Sequence, residues 1–256
     1  MATPWFFVES IPHEGVVTLP KEEARHATGA RRLGEGDAVI LFDGHGTVAT
    51  ASLLGTRDRS GAVEARLDSI ETHEAIAPRL EIATALPKGD RLSTLLDMAT
   101  QAGVDHLIPL RCEWGVVKPR ETPPDRWQRI VVEAAKQSRR AWLPTFGAPR
   151  TVSEACAARE GLQVLIAHPG GASISEVCGV LGNGDGNAAG NPARNAAGTI
   201  RVLIGPEGGF SEAELDAAEA LGATRVSLSP HVLRVETAAV VAAAHVRGAS
   251  AVHASD

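Results

Sequence analysis

Cysteine is scarce in this chain and badly spaced for its usual structural roles. Its three cysteines, Cys112, Cys156 and Cys178, are odd in number and form no C-x-x-C or Cys/His pattern. That argues against both a disulfide framework and a zinc site, and a reducing compartment fits best. No stretch is apolar for long enough to span a bilayer, and the opening residues carry no positive leader and only a short apolar run. A soluble, cytoplasmic protein with no membrane partner is therefore expected. The two common nucleotide fingerprints, G-x-x-x-x-G-K-[ST] and G-x-G-x-x-G, are missing as well, which disfavours an ordinary triphosphate or dinucleotide site. No metal is implied.

What remains is enough chain to fold. With 256 residues, 44% of them hydrophobic, the protein can bury a real core in one or two domains. A formal charge of -6 would count against a nucleic-acid partner, but the charge is unevenly spread. Residues 111–150 hold nine Lys or Arg against four acids, an excess of five positive charges, whereas 151–256 hold six Arg against eleven acids. A solvated helix face and an RNA-facing patch both fit that excess.

Up to about residue 72 the pattern is short and strand-like, over 5–8, 15–19, 38–42, 47–53 and 62–67, with turn signals such as Asp43-Gly44-His45-Gly46 and one helix near 21–32. This reads as a small β-rich module. After a linker at 72–78, strands at 80–86, 106–110, 162–167, 200–204 and 225–228 alternate with helices. The helices start near Arg91, Pro123-Pro124, Ser173, Ser211 and Glu236, and the alternation means an α/β fold with a largely parallel sheet. The stretch 181–198, rich in Gly and Asn, has almost no apolar anchors and reads as a flexible surface insertion.

Two segments carry the chemistry: Leu203-Ile-Gly-Pro-Glu-Gly-Gly-Phe-Ser211 and Leu228-Ser-Pro-His-Val-Leu-Arg-Val-Glu-Thr-Ala238. Each reads as a strand end, a tight loop and a helix start. Ser211 with Glu214 makes a capping box, while Gly205, Gly208 and Gly209 allow a sharp turn and close approach to a ligand. A pair of such loops suits a nucleoside-like ligand read by main-chain groups.

In this order, the two segments resemble the signature motifs of the bacterial 16S ribosomal RNA uracil-N3 methyltransferases, which belong to the SPOUT class. The resemblance also takes in Ala85-Leu-Pro-Lys-Gly-Asp90, Ala102 to Pro109, Glu133 to Arg140, and His26 followed by Arg31 to Asp37. It implies a PUA-like RNA-binding β-barrel over 1–72, and an α/β trefoil-knot methyltransferase domain over 73–256. It further implies S-adenosylmethionine as methyl donor, 16S rRNA in the small ribosomal subunit as partner, and a homodimer.

The donor would be held by Ala167, His168 and Pro169, by Leu203, Gly205, Pro206, Glu207, Gly208 and Gly209, and by Leu228, Ser229, Val232 and Leu233. Arg234 is expected to stabilise negative charge developing on the uracil, since a guanidinium cannot act as a base but can pair with an anion. Glu236 is placed with Arg234 in the catalytic set, although Glu236 and Thr237 also suit a cap on the last helix. RNA contacts are expected from His26, Arg31, Arg32, Lys88, Arg139 and Arg140. His168 and His231 have the pKa to accept a proton, but a structural role is the commoner one for a lone His. The chain departs from the family pattern at Met98, Gln101, Ala102, Trp114, Lys136, Ser229, His231 and Val235. These departures leave open an enzyme of the same class acting at another RNA site, and a non-catalytic RNA-binding or ribosome-assembly protein.

Overall fold

The structure, a computed structural model, describes residues 3–56, 62–121, 123–178 and 198–251. The expected insertion at 181–198 lies, Gly198 apart, outside the described residues. The chain divides into two compact units, Met1–Ala75 with Val132–Leu143, and Ile76–Val131 with Pro144–Asp256.

In the first unit, β1 (Trp5–Phe7), β2 (Val16–Thr18), β3 (Ala38–Phe42), β4 (Thr47–Thr56) and β5 (Val63–Thr72) form one sheet in the order β1-β3-β4-β5-β2. The β1 and β3 strands are parallel and the other pairs antiparallel. Val39 and Leu41 share a strand face and bury completely with Phe6, Leu53 and Ala65, the period-two pattern of a half-covered sheet. The expected helix is short and irregular. After α1 (Lys21–Arg25) the chain makes a single π-helical turn at His26–Ala30. The Thr28 hydroxyl donates to the Ala24 carbonyl at 3.0 Å, and such back-bonding, with Gly29 next in the chain, weakens a regular helical ladder.

Residues 132–143 join this unit through the β3–β4 turn. Leu143 N–H donates to the Gly44 carbonyl at 2.9 Å, and the Trp142 indole to that of His73 at 2.9 Å. Lys136, one of the family departures, donates to Glu23 at 2.9 Å and to Glu133 at 2.7 Å. Burial pushes the Glu23 carboxyl up despite the pull of Lys136.

The second unit is built on β6 (Arg79–Thr84), β7 (His106–Arg111), β8 (Thr145–Phe146), β9 (Arg150–Thr151), β10 (Leu162–Ser173), β11 (Thr199–Ile204) and β12 (Thr224–Ser227). The order is β12-β10-β11-β6-β7-β8, with β9 also on β7, and every pairing is parallel. On one face, α2 (Asp90–Gln101), the start of α3 (Asp125–Ser138), α5 (Ile174–Val177) and α7 (Val235–Ala251) pack over Leu80, Ile82, Val202 and Ile204. On the other, α4 (Val152–Cys156) and α6 (Glu212–Ala220) cover Ala83, Ile108, Ile166 and Leu203. Coverage of both faces explains the continuous burial along β6 and β11. The far end of α7 is pinned by Arg247, which donates to the carbonyls of Gly103 at 2.7 Å and Pro78 at 2.8 Å and pairs with Asp105.

The structure differs from the sequence reading in its shortest elements and in β10. The strands β8 and β9 and the single-turn α4 are too short to leave a periodic pattern. The capping box of α4 was nonetheless present in the sequence: Thr151 N–H donates to Glu154 at 2.7 Å and Glu154 N–H to the Thr151 hydroxyl at 3.2 Å. The strand expected to end at 167 runs on as β10 to Ser173. Both Ala167 and Ala172 pair with Val226, so residues 168–171 form a bulge rather than a free loop. Gly171 is fixed there by close approach, since a Cβ would stand 2.5 Å from the Val226 nitrogen. Among the described residues no helix is long and apolar enough to cross a membrane, and no group of three or more His, Cys, Asp or Glu could hold a metal ion.

Candidate active site

At the bulge of β10 and the carboxyl ends of β11 and β12 the chain leaves a cleft of about 350 Å³, the end of a parallel sheet where ligands ordinarily bind. Its walls come from residues 167–169, 204–210, 227–229 and 231–233, with Val235 and Ala238 behind them. Every residue expected to hold a donor lines this cleft except Leu203. Its side chain is buried on the opposite face with Leu215, because neighbours on a strand alternate faces, while the contact expected of Leu203 is through its main chain; the Ile204 side chain lines the cleft.

The middle loop is held at both ends. Ser211 N–H donates to Glu214 at 2.9 Å and Glu214 N–H to the Ser211 hydroxyl at 3.3 Å, the capping box read from sequence. Before it, Gly209 takes φ +77 and donates to the Pro206 carbonyl at 2.8 Å, closing a turn that a side chain would strain. In the loop after β12, the Ser229 hydroxyl accepts the His231 N–H at 3.1 Å. His168 is committed to its own bulge, because Nδ1 accepts the Gly170 N–H at 3.1 Å. His231 lies exposed in the cleft wall.

The residue that sequence reasoning missed is Arg91, at the start of α2. Its Nε and Nη2 donate to the two Glu236 oxygens at 3.1 and 2.9 Å, and its Nη1 donates to Glu207 at 2.6 Å. One planar fork thus ties the α2 start, the middle loop and the α7 start together, a bidentate geometry a lysine cannot copy. Glu236 is accordingly buried and committed to Arg91, with a further bond to its own N–H. Its main role is not the helix cap considered from sequence. Arg91 holds the Glu236 carboxyl below its ordinary value against the opposing effect of burial; Glu207 is lowered by its own N–H first and then by Arg91. Both carboxylates are therefore ionised at neutral pH. Only the Lys88-Gly-Asp-Arg91 segment, opening a helix, hinted at this role.

Arg234 sits between the third loop and α7. It is exposed, and its guanidinium has no hydrogen-bond partner among the described residues; its carbonyl accepts the Ala238 N–H at 2.8 Å. Of the expected RNA contacts, His26, Arg31, Arg32, Arg139 and Arg140 lie in the first unit. Arg32 and Arg139 adopt positive φ of 55° and 56°. Lys88 is exposed in the turn between β6 and α2 of the second unit. The excess of positive charge over 111–150 overstates what is free for phosphate, because Lys136 is withdrawn into its ion pairs and Arg111 pairs with Glu121. Cys112 is no nucleophile, since burial pushes its thiol up to about 12.

Residues 75–247 match the RNA methyltransferase domain family, and residues 19–63 match the RNA methyltransferase PUA domain. The chain belongs to the RNA methyltransferase family. Among its relatives, the ribosomal RNA small subunit methyltransferase E of Synechocystis is 31% identical over 233 residues, covering 91% of this chain and 73% of the relative. That of Mycobacterium bovis is 30% identical over 254 residues, covering 94% and 90%. The chain also resembles the crystal structure of the methyltransferase E of Neisseria gonorrhoeae bound to S-adenosyl methionine, with a TM-score of 0.79, 26% identity and coverage of 95% and 96%. A Legionella pneumophila methyltransferase solved with its bound cofactor SAM gives a TM-score of 0.80, 26% identity and coverage of 97% and 98%. The fold class is therefore the SPOUT-type α/β trefoil-knot methyltransferase with an N-terminal PUA-like β unit, as the sequence motifs imply.

Proposed function

We propose that this methyltransferase moves a methyl group from S-adenosylmethionine to N3 of a uracil in the 16S rRNA of the small ribosomal subunit, as a cytoplasmic homodimer whose last helix contributes to the subunit contact. The observation that carries the reading is the cleft in which the segments 167–169, 204–210, 227–229 and 231–233 converge, in a chain of this family. The cleft suits the donor. Apolar Leu228 and Leu233 offer walls for an adenine, the glycine-rich turn exposes main-chain groups, and ionised Glu207 complements a sulfonium. When bound, S-adenosylmethionine supplies the methyl group, leaving as the neutral thioether.

The chain's own residues supply position and charge. N3 of uracil must shed its proton and present its lone pair in line, so holding the base in near-attack geometry is much of the catalysis. N3 is a Watson–Crick edge atom, and the target must be unpaired or splayed from its helix. To Arg234, exposed beside the third loop though not among the residues lining the cleft, we assign stabilisation of the anion left on the uracil ring. Arg91 keeps Glu207 and the start of α7 in register with it. The PUA-like unit, with His26, Arg31, Arg32, Arg139 and Arg140, and Lys88 from the second unit, would grip the RNA backbone.

A second reading, the same chemistry at another RNA position, is favoured by one observation: Trp114, a departure from the family pattern, lies directly against the cleft loop. Small ribosomal subunits lacking the modification, incubated with the protein and isotopically labelled S-adenosylmethionine, separate the two. Labelled 3-methyluridine is expected among the digested nucleosides; label in another nucleoside would favour the second reading, and no label despite donor binding would sink both. Arg234→Ala should lower kcat by roughly a hundredfold, the scale of a lost anion-stabilising donor, with donor affinity unchanged. Sedimentation as a monomer at micromolar concentration would refute the dimer.

A further inference from the structure

Aromatic residues make up 4% of the chain, with no tyrosine at all. Nearly all the aromatic rings among the described residues are buried or half-buried: Phe6, Phe42, Trp127 and Phe210 sit in cores, and Trp5, Phe7, Trp142 and Phe146 are partly covered. The exception is Trp114, 50% exposed in the turn that follows β7. It is not a stray surface ring. A Cβ built on Gly208, in the wall of the donor cleft, would stand 3.4 Å from its Cε3 and 3.6 Å from its Cβ, so the indole packs on the glycine while its exposed part is left to solvent. The turn is anchored at both ends. Glu113 N–H donates to Glu214, the capping-box residue of α6, at 2.9 Å, and Gly115 N–H to the Cys112 carbonyl at 3.0 Å. Exposed Lys118 and Arg120 follow within six residues.

An indole braced against the donor loop and open on its other side is what an unpaired nucleobase needs once it leaves its own stack. Every base has a π-face, and the cost of unstacking is recovered on an aromatic ring. An apolar protein partner would be poorly served by the cations just downstream, whereas a phosphodiester chain suits them. We infer that Trp114 is the stacking platform for an unpaired RNA base, the acceptor or its direct neighbour, at the mouth of the donor cleft. This inference rests on the proposed RNA methylation for the identity of the acceptor, but the stacking contact itself can be tested without turnover.

The test uses the full-length protein with and without S-adenosylhomocysteine, and an unstructured oligouridylate of nine nucleotides as probe. Trp114→Ala should weaken oligonucleotide binding by roughly tenfold, the scale of a lost base–aromatic stack. Trp114→Phe should keep most of the affinity, and both variants should bind S-adenosylhomocysteine as the wild type does. An otherwise identical oligomer with abasic sites should bind wild type and Trp114→Ala alike. Equal oligouridylate affinity in wild type and Trp114→Ala would overturn the inference, as would an equal loss of affinity for S-adenosylhomocysteine, which would make the indole a packing residue of the loop. A shift of Trp114→Ala to monomer with RNA affinity intact would overturn it too, by assigning the ring to a second copy of the chain. If no labelled nucleoside forms with ribosomal subunits but the oligouridylate difference persists, the methylation reading fails while the stacking platform stands.

Discussion

Two guanidinium–carboxylate clusters in the second unit use the same chemistry at different depths. Between the central strands, Arg201 donates from Nε and Nη2 to one oxygen of Glu81 at 2.8 and 2.6 Å, and from Nη1 to the Ala155 carbonyl at 2.6 Å; both side chains are buried. At the cleft, Arg91 spans Glu236 and Glu207 but keeps about a third of its side chain in solvent. Burial works to raise the Glu81 carboxyl, and Arg201, by hydrogen bond and by charge, holds it below its ordinary value. At the cleft the balance is reversed, with the Arg91 bond the leading influence on Glu236 and burial second. The inner cluster is thus a demand of the fold, because either charge left alone in the sheet would be stranded. The outer one fixes the relative placement of three chain segments while remaining within reach of a ligand.

Breaking the inner cluster should produce the largest effect. Arg201→Met leaves the buried Glu81 carboxylate only the half-exposed Arg159, at 3.4 Å, and Arg79, at 3.7 Å, and should cost about 3 kcal/mol of stability, the lower end for a broken buried pair, read as a fall in the urea midpoint. The double variant Glu81→Leu with Arg201→Met should recover much of that loss, since an apolar pair of similar volume is often neutral. The pH dependence should change sign as well. In the wild type the lowered Glu81 pKa contributes stability that is complete above the carboxyl's unfolded value and is lost as pH falls through the folded one. In Arg201→Met, burial, the largest influence on Glu81, is opposed only by the remaining charges, those of His106 and Arg159 among them, so that pKa should rise and stability should instead fall as pH rises through it. An Arg201→Met protein as stable as wild type would show that the pair is incidental.

Next in size is the outer cluster. Arg91→Ala should weaken S-adenosylmethionine binding by roughly tenfold, the scale of losing charge-assisted hydrogen bonds that order a loop, with a smaller fall in the urea midpoint than Arg201→Met gives. Arg91→Lys should rescue only part of this, because an ammonium cannot span both Glu236 oxygens and Glu207 at once. Since Arg91 holds both carboxyls down, wild-type donor affinity should persist as pH falls through the ordinary glutamate range. In Arg91→Ala the loss should begin at higher pH. Calorimetric titration of the donor across that range decides it; identical profiles would detach Arg91 from the site.

The outer cluster also marks what the sequence could reveal. The loops at 203–211 and 228–238 are legible because each joins a strand end, a tight loop and a helix start within about ten residues, the first with glycines for its turn and the Ser211/Glu214 box to start its helix. The parallel sheet followed from alternation of strand and helix patterns. Arg91, by contrast, meets Glu236 at a separation of 145 residues and Glu207 at 116, and no local pattern records such a pairing. The bulge at 168–171 depends on the register of β12, and the withdrawal of Lys136 depends on Glu23 at a distance of 113 residues. In each case the decisive partner comes from a distant part of the chain.

The smallest effect separates stability from function most cleanly, because the second unit contains the same capping box twice. Thr151 and Glu154 cap α4 away from the cleft, while Ser211 and Glu214 cap α6 at its wall. Thr151→Ala and Ser211→Ala should each cost about 1 kcal/mol of stability, a few degrees in melting temperature. Only the second should weaken donor binding, by a few-fold, because it removes the hydroxyl that accepts the Glu214 N–H and so loosens the start of α6 beside the 204–210 wall of the cleft. Equal donor affinities in the two variants, at equal stability loss, would mean that the middle loop keeps its shape without its cap, and that the Arg91 fork alone orders the cleft.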